Sequence, residues 1–162
     1  MSGGAVFSRD RRYRYRLWRR WDGSRPVVAF VMLNPSTADA TRDDPTIRRC
    51  IGFARRWGYG GVEVVNLFAL RAADPRALRA AHDPEGPRNA AQVRRAASTA
   101  ALVLAAWGAD GAVGTRGAAL ERRLSPRLRC LGVTRSGAPR HPLYLRSSAR
   151  PVPLSRARRS AG

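Results

Sequence analysis

The chain has 162 residues, 44% of them hydrophobic, and a formal net charge of +20 at pH 7. This length suits one domain with a proper core and falls short of two, and the hydrophobic share excludes a disordered chain. No apolar run reaches the length of a membrane span and the arginine-rich start lacks a signal-peptide core, so the expectation is cytoplasmic residence without a membrane partner.

Lysine is absent, and all 31 cationic side chains are arginine, set against 11 acidic ones. Part of this excess is codon habit, since alanine is also heavily used, but the charge acts whatever its origin. A small protein this basic is drawn to polyphosphates, with an affinity that falls as salt rises. Nucleic acid is therefore the expected partner class on charge alone. The two cysteines, Cys50 and Cys130, lack metal-ligand spacing and read as buried thiols. No metal or other cofactor is expected, and the sequence leaves the oligomeric state open.

Met1–Gly4 reads as a frayed start. Tyr13, Tyr15 and Leu17 alternate with arginines, which predicts a half-buried strand, and Asp22-Gly23 then turns the chain. The strand is expected as a hairpin on the next strand or along the sheet edge, guarded by charge. Arginines interleaved with aromatics also suit base stacking and phosphate contact.

Val27–Leu33 is an unbroken apolar run that stops at Asn34-Pro35-Ser36. Such a run reads as a strand buried on both faces, ended by a proline that cannot donate to a ladder. Asn, Pro and Ser are ordinary turn formers, yet ligands of open α/β sheets sit beyond such strand ends. Asp39, Asp43 and Asp44 follow closely in a chain poor in acids. Asp44 is placed to cap a helix that opens with Pro45 and carries Ile47, Cys50, Ile51, Ala54 and Trp57 as its apolar stripe. Gly58-Tyr59-Gly60-Gly61 ends it.

Val62–Leu70 reads as a second buried strand, in which Asn66 either ties the backbone or faces a ligand. Leu78–Ala81 and Asn89–Ser98 read as helices, Ala100–Trp107 as a third strand, Val113–Leu124 as a helix and Leu128–Val133 as a fourth strand. The predicted architecture is α/β: a three-layer α/β/α sandwich around a mainly parallel four-stranded sheet, plus an N-terminal edge strand or hairpin. A single domain over residues 5–146 and a flexible basic tail over 147–162 are expected. Asn34, Asn66 and His141 then fall near one sheet edge. There is no phosphate-binding loop, dinucleotide fingerprint, zinc cluster or nucleophile elbow.

The blocks VMLNPSTAD, DPTIRRCIGFARRWGYGGVEVVNLFALRA and APRHPLYL closely resemble a bacterial and phage family of unknown function, domain of unknown function 1643. More distantly, Met32-Leu33-Asn34-Pro35, Val65-Asn66-Leu67, Ala106-Trp107-Gly108 and His141-Pro142-Leu143 resemble, in order and spacing, the motifs of the uracil-DNA glycosylase superfamily. Met32 stands where that superfamily has glycine, and Leu143 where it has serine. Asn34 cannot act as a carboxylate base.

The distant resemblance implies hydrolysis of the N-glycosidic bond of a flipped base, with DNA ahead of RNA as the partner. Asn34, aided by Asp39, would hold the attacking water, and His141 would stabilise the leaving base. Asn66 would read the base edge and Phe68 or Tyr59 would stack on it. Ser36, Arg71, Arg135 and Arg140 are the expected backbone contacts. The alternatives are a noncatalytic nucleic-acid-binding module and an enzyme acting on free nucleosides or nucleotides.

Overall fold

The computed structural model, which describes residues 1–161, opens on a hairpin. β1 (Ser2–Phe7) pairs antiparallel with β2 (Arg14–Arg20), so the opening residues form an edge strand and are not frayed. The Phe7 ring ends the hairpin between two guanidinium groups, Arg11 at 3.9 Å and Arg71 at 5.0 Å from its centroid.

The remaining elements follow in chain order. They are β3 (Val27–Met32), α1 (Pro45–Arg56), β4 (Gly61–Asn66), α2 (Arg76–Ala80), α3 (Asn89–Thr99), β5 (Leu102–Ala105), α4 (Gly114–Leu124), β6 (Leu128–Cys130), β7 (Val152–Pro153) and α5 (Leu154–Ala161). The seven strands form one mixed sheet in the order β1-β2-β4-β3-β5-β6-β7. This is wider than the four strands and N-terminal edge strand or hairpin expected, with β7 as an added margin. β4, β3, β5 and β6 pair in parallel, while β1, β2 and β7 add antiparallel margins. Asp22-Gly23 does not close a hairpin onto β3, because β2 lies beside β4 and β1 takes the outer edge.

Period-two alternation explains why β3 sits at the centre. Ala29, Val31 and Leu33 join one apolar cluster with Val93, Ala96 and Ala97 of α3. Val28, Phe30 and Met32 join another with Ile47, Cys50, Ile51 and Phe53 of α1. A strand apolar on both sides is stable only with partners on both faces. Asp44 caps α1 by accepting from the Ile47 N–H at 2.8 Å, and Pro45 fills the position whose N–H would be orphaned. Gly58, at φ +86°, takes the left-handed turn that ends the helix. Both thiols are free and buried, and burial pushes the Cys50 pKa well up.

Residues 147–161, expected as a flexible tail, fold back on the sheet. β7 pairs with β6, Leu154 is buried in the α3-side cluster, and Arg158 makes a two-pronged ion pair with Glu121 of α4 at 2.6 and 2.8 Å. The Trp57 indole donates to the Ala149 carbonyl at 3.1 Å. Composition suggests a tail because these partners are distant in sequence. Among the described residues no helix is long and apolar enough to cross a membrane.

Candidate functional site

The winding of the sheet reverses at β3. The chain leaves it towards β4 on one side and later returns to β5 on the other, with α1 and α3 on opposite faces. The carboxyl ends of strands at such a point form a natural crevice.

Local bonds draw the exits of the strands together. Beyond β3, Leu67 and Phe68 N–H groups donate to the Met32 and Leu33 carbonyls, extending the ladder past the regular strands. The Asn34 side-chain amide nitrogen donates to the carbonyls of Ala72, Pro35 and Leu70 at 2.9, 3.1 and 3.4 Å. It is a cross-tie between the β3 and β4 exits, which leaves Oδ1 as the end of the amide available for a ligand. After β5, Gly108 turns at φ +76°, and its N–H donates to the Pro139 carbonyl at 2.9 Å. That bond anchors the loop carrying His141. Arg49 of α1 supports the same loop, donating from Nε to the Pro142 carbonyl at 3.4 Å.

A cavity of about 300 Å³ lies where these segments meet, lined by Asn34, Asn66, His141, Arg14, Asp44 and Trp107 among others. This is the lower end of the ~300–1,000 Å³ usual for small-molecule sites. Ser36 lies on its rim and donates to Asp44 Oδ2 at 3.1 Å. Asn66, the last residue of β4 and the partner of Met32 in register, is 1% exposed, and its Oδ1 has no protein donor. A bare buried acceptor costs about 1–3 kcal/mol, a cost that a ligand donor removes.

His141 precedes a short helical turn at Pro142–Tyr144, and its Nδ1 accepts from the Leu143 N–H at 3.1 Å. The neutral ring therefore carries its proton on Nε2. Burial lowers the imidazole pKa from the usual 6.5, against the opposing pull of Asp44, so the ring is neutral at pH 7. Arg14, at the start of β2, is only 2% exposed. Its Nη1 donates to the Ala38 carbonyl at 2.8 Å, while Nε has no acceptor. Burial lowers its pKa to about 10, with Asp44 again opposing, and the guanidinium stays charged at pH 7. The site thus offers one buried cation, two carboxylates (Asp44 and Asp110), a neutral N–H donor and two amide oxygens. Among the described residues no group of His, Cys, Asp or Glu could hold a metal ion.

Other expected residues lie elsewhere. Asp39 does not line the cavity. Its Oδ1 accepts from the Thr41 and Arg42 N–H groups at 2.9 and 2.8 Å, which holds its pKa below the usual range and makes it a turn anchor. Phe68 is buried in the α3-side cluster beneath Arg116, and Tyr59 lines a depression at the opposite end of the sheet. Neither can stack on a ligand beside Asn66. Arg71 donates to the Arg11 carbonyl and Arg140 to the Val133 carbonyl, while Arg135 is exposed on the loop before His141.

Three charged cavity residues carry no site signal in the sequence: Arg14 reads as a charged edge-strand side chain, Asp44 as a helix cap alone, and Asp110 stands in no motif. Burial of Arg14 depends on β2 pairing with β4, which no local pattern reveals. Tyr144, three residues beyond His141, is 87% exposed.

A family model described as "Protein of unknown function (DUF1643)" matches residues 14–143. No curated protein and no solved structure matches the chain.

Proposed function

Because the chain belongs to the DUF1643 family, whose function is unknown, we propose an activity from the cavity itself: hydrolysis of the N-glycosidic bond of a nucleic-acid base bound between Asn66 and His141. The observation that carries this reading is the bare, buried Asn66 Oδ1 in a cavity shared with the neutral His141 and the buried Arg14 cation. Such a set suits a flat ligand with an N–H edge that gains negative charge as it leaves.

The roles follow from the atoms. Asn66 Oδ1 accepts from the base edge. A water held by Asn34 Oδ1 attacks the sugar anomeric carbon as the bond to the base nitrogen breaks, and the bonding pair leaves with the base. The His141 Nε2–H and the Arg14 guanidinium stabilise that charge, which is worth most where water is excluded. Asp44, in place of Asp39, takes the proton of the attacking water. The three-layer α/β/α arrangement and the distant likeness to the uracil-DNA glycosylase superfamily belong to this proposal. Helices against both sheet faces and a cavity at the strand exits support them.

The test is incubation with single- and double-stranded oligonucleotides bearing uracil, mismatches or modified bases, followed by alkaline cleavage at abasic sites. Strand cleavage by the wild type, lost in Asn66→Leu and His141→Ala, is expected. No base release from any substrate would refute hydrolysis. Arg14 also favours a second reading, an enzyme acting on free nucleotides, because one buried cation in a small cavity suits one phosphate. Base release from nucleoside monophosphates but never from oligonucleotides would establish that reading instead.

A further inference from the structure

A concavity of about 970 Å³ lies between α3 and α4 and meets the strand-exit cavity at Asn66, which lines both. Its origin is plain in the two helices. Ala90 and Ala97 of α3 and Ala119 of α4 line it with methyl groups, too short to fill the space between the helices, and Val93, Leu120 and Leu124 give it an apolar floor. Arg94, Arg122 and Arg123 line its walls, all exposed and none in an ion pair among the described residues.

A second feature points to a ligand. Asn89, the first residue of α3, lines the groove and is 1% exposed. Its Nδ2 is held by the Asn66 and Leu67 carbonyls at 2.8 and 3.2 Å, and its Oδ1 has no protein donor. The groove therefore combines a buried acceptor with unpaired cations on both walls. At its far end Arg127 is shared with a second depression of about 500 Å³, which contains Tyr59, Trp57, Arg129 and Arg150. Across both, Glu85 is the one acidic side chain among the described lining residues, and it is paired with Arg116.

We infer that the α3–α4 groove is a track for single-stranded nucleic acid, running from Asn89 past Arg127 to Tyr59. Arginines on both walls suit a polyanion, and an unfilled amide oxygen suits a base amino group or a sugar hydroxyl. Trp57 is stacked on Phe53 and Phe30, so the half-buried Tyr59 is the ring at the end that suits stacking. Helices of eleven residues are ~16 Å long, room for about five stacked nucleotides at ~3.4 Å each. This inference rests on the nucleic-acid part of the proposed function and is independent of hydrolysis.

The experiment is fluorescence anisotropy of a short labelled oligothymidylate with the full chain between about 50 and 200 mM salt. Two variants of equal net charge are compared: Arg94→Ala/Arg122→Ala/Arg123→Ala in the groove, and Arg9→Ala/Arg56→Ala/Arg146→Ala elsewhere. Three lost phosphate contacts make the log–log salt slope of the groove variant shallower by about 2, while the control stays within about 0.7 of wild type. Equal slopes for the two variants, or no binding by wild type, would overturn the track. Equally tight, groove-dependent binding of poly-glutamate would also overturn it, in favour of an acidic peptide partner. Groove-dependent binding without base release keeps the track and removes the hydrolase. Base release with groove-independent binding does the reverse.

Discussion

Replacing Arg14 with methionine separates a functional cation from a structural one. A guanidinium that is 2% exposed is costly to retain, and burial lowers its pKa to about 10, well below the ordinary guanidinium range. At ~1.4 kcal/mol per pH unit, this is roughly 3 kcal/mol of stability given up at neutral pH. The sign follows from the direction. A base that binds its proton less tightly when folded destabilises the fold at every pH below about 10, and the effect fades as pH rises beyond that towards the ordinary guanidinium range. Methionine keeps the bulk and removes the charge, at the loss of a charge-assisted bond to the Ala38 carbonyl worth about 1.5–3 kcal/mol. The expected net gain is about 1 kcal/mol, or ~2–4 °C in Tm, unchanged between pH 6 and 9. Base release should fall at least ~100-fold. Denaturation by urea and the alkaline-cleavage assay measure the two. A variant destabilised by 2 kcal/mol or more, with normal base release, would show that Arg14 is a strut and that the electrostatic reasoning is wrong.

Asn66→Leu, which removes the bare acceptor, should change stability by under about 1 kcal/mol or raise it, and should abolish base binding. A loss above about 2 kcal/mol in urea denaturation would instead mark Asn66 as a satisfied core amide. For His141, burial lowers the folded pKa below 6.5, so its contribution to stability weakens as pH falls through 6.5 and the unfolded chain takes up the proton first. Activity should stay level from pH 7 down to 6.5 and decline only below it; an imidazole titrating above 6.5 by NMR contradicts the assignment. Leu154→Ala should cost about 2–3 kcal/mol, because the side chain is buried beneath the folded-back end of the chain. A flexible tail would give no change in Tm.

The parts of this molecule that could be read from sequence are those whose causes are local. The run Val27–Met32 is a central strand because every residue of it is apolar, and Asp44-Pro45 opens α1 because cap and proline act within one turn. Asn34, Asn66 and His141 fall at strand exits because alternating strands and helices fix which ends share an edge. What escaped depends on pairing over distance. Arg14 becomes buried only when β2 lies against β4, and residues 147–161 are ordered only by β6 and by Glu121. Tyr59 and Phe68 are aromatic and near the right strands, but one lies at the wrong end of the sheet and the other on the wrong face. Composition cannot distinguish those positions.

The central claim is that the cavity holds a base, and a co-crystal structure with free nucleobases tests it most directly. The account predicts a base in the 300 Å³ cavity, with a ring N–H or amino group about 2.7–3.2 Å from Asn66 Oδ1 and a ring oxygen or nitrogen within the same reach of His141 Nε2. A base seated elsewhere on the protein while this cavity stays closed to it would contradict the account.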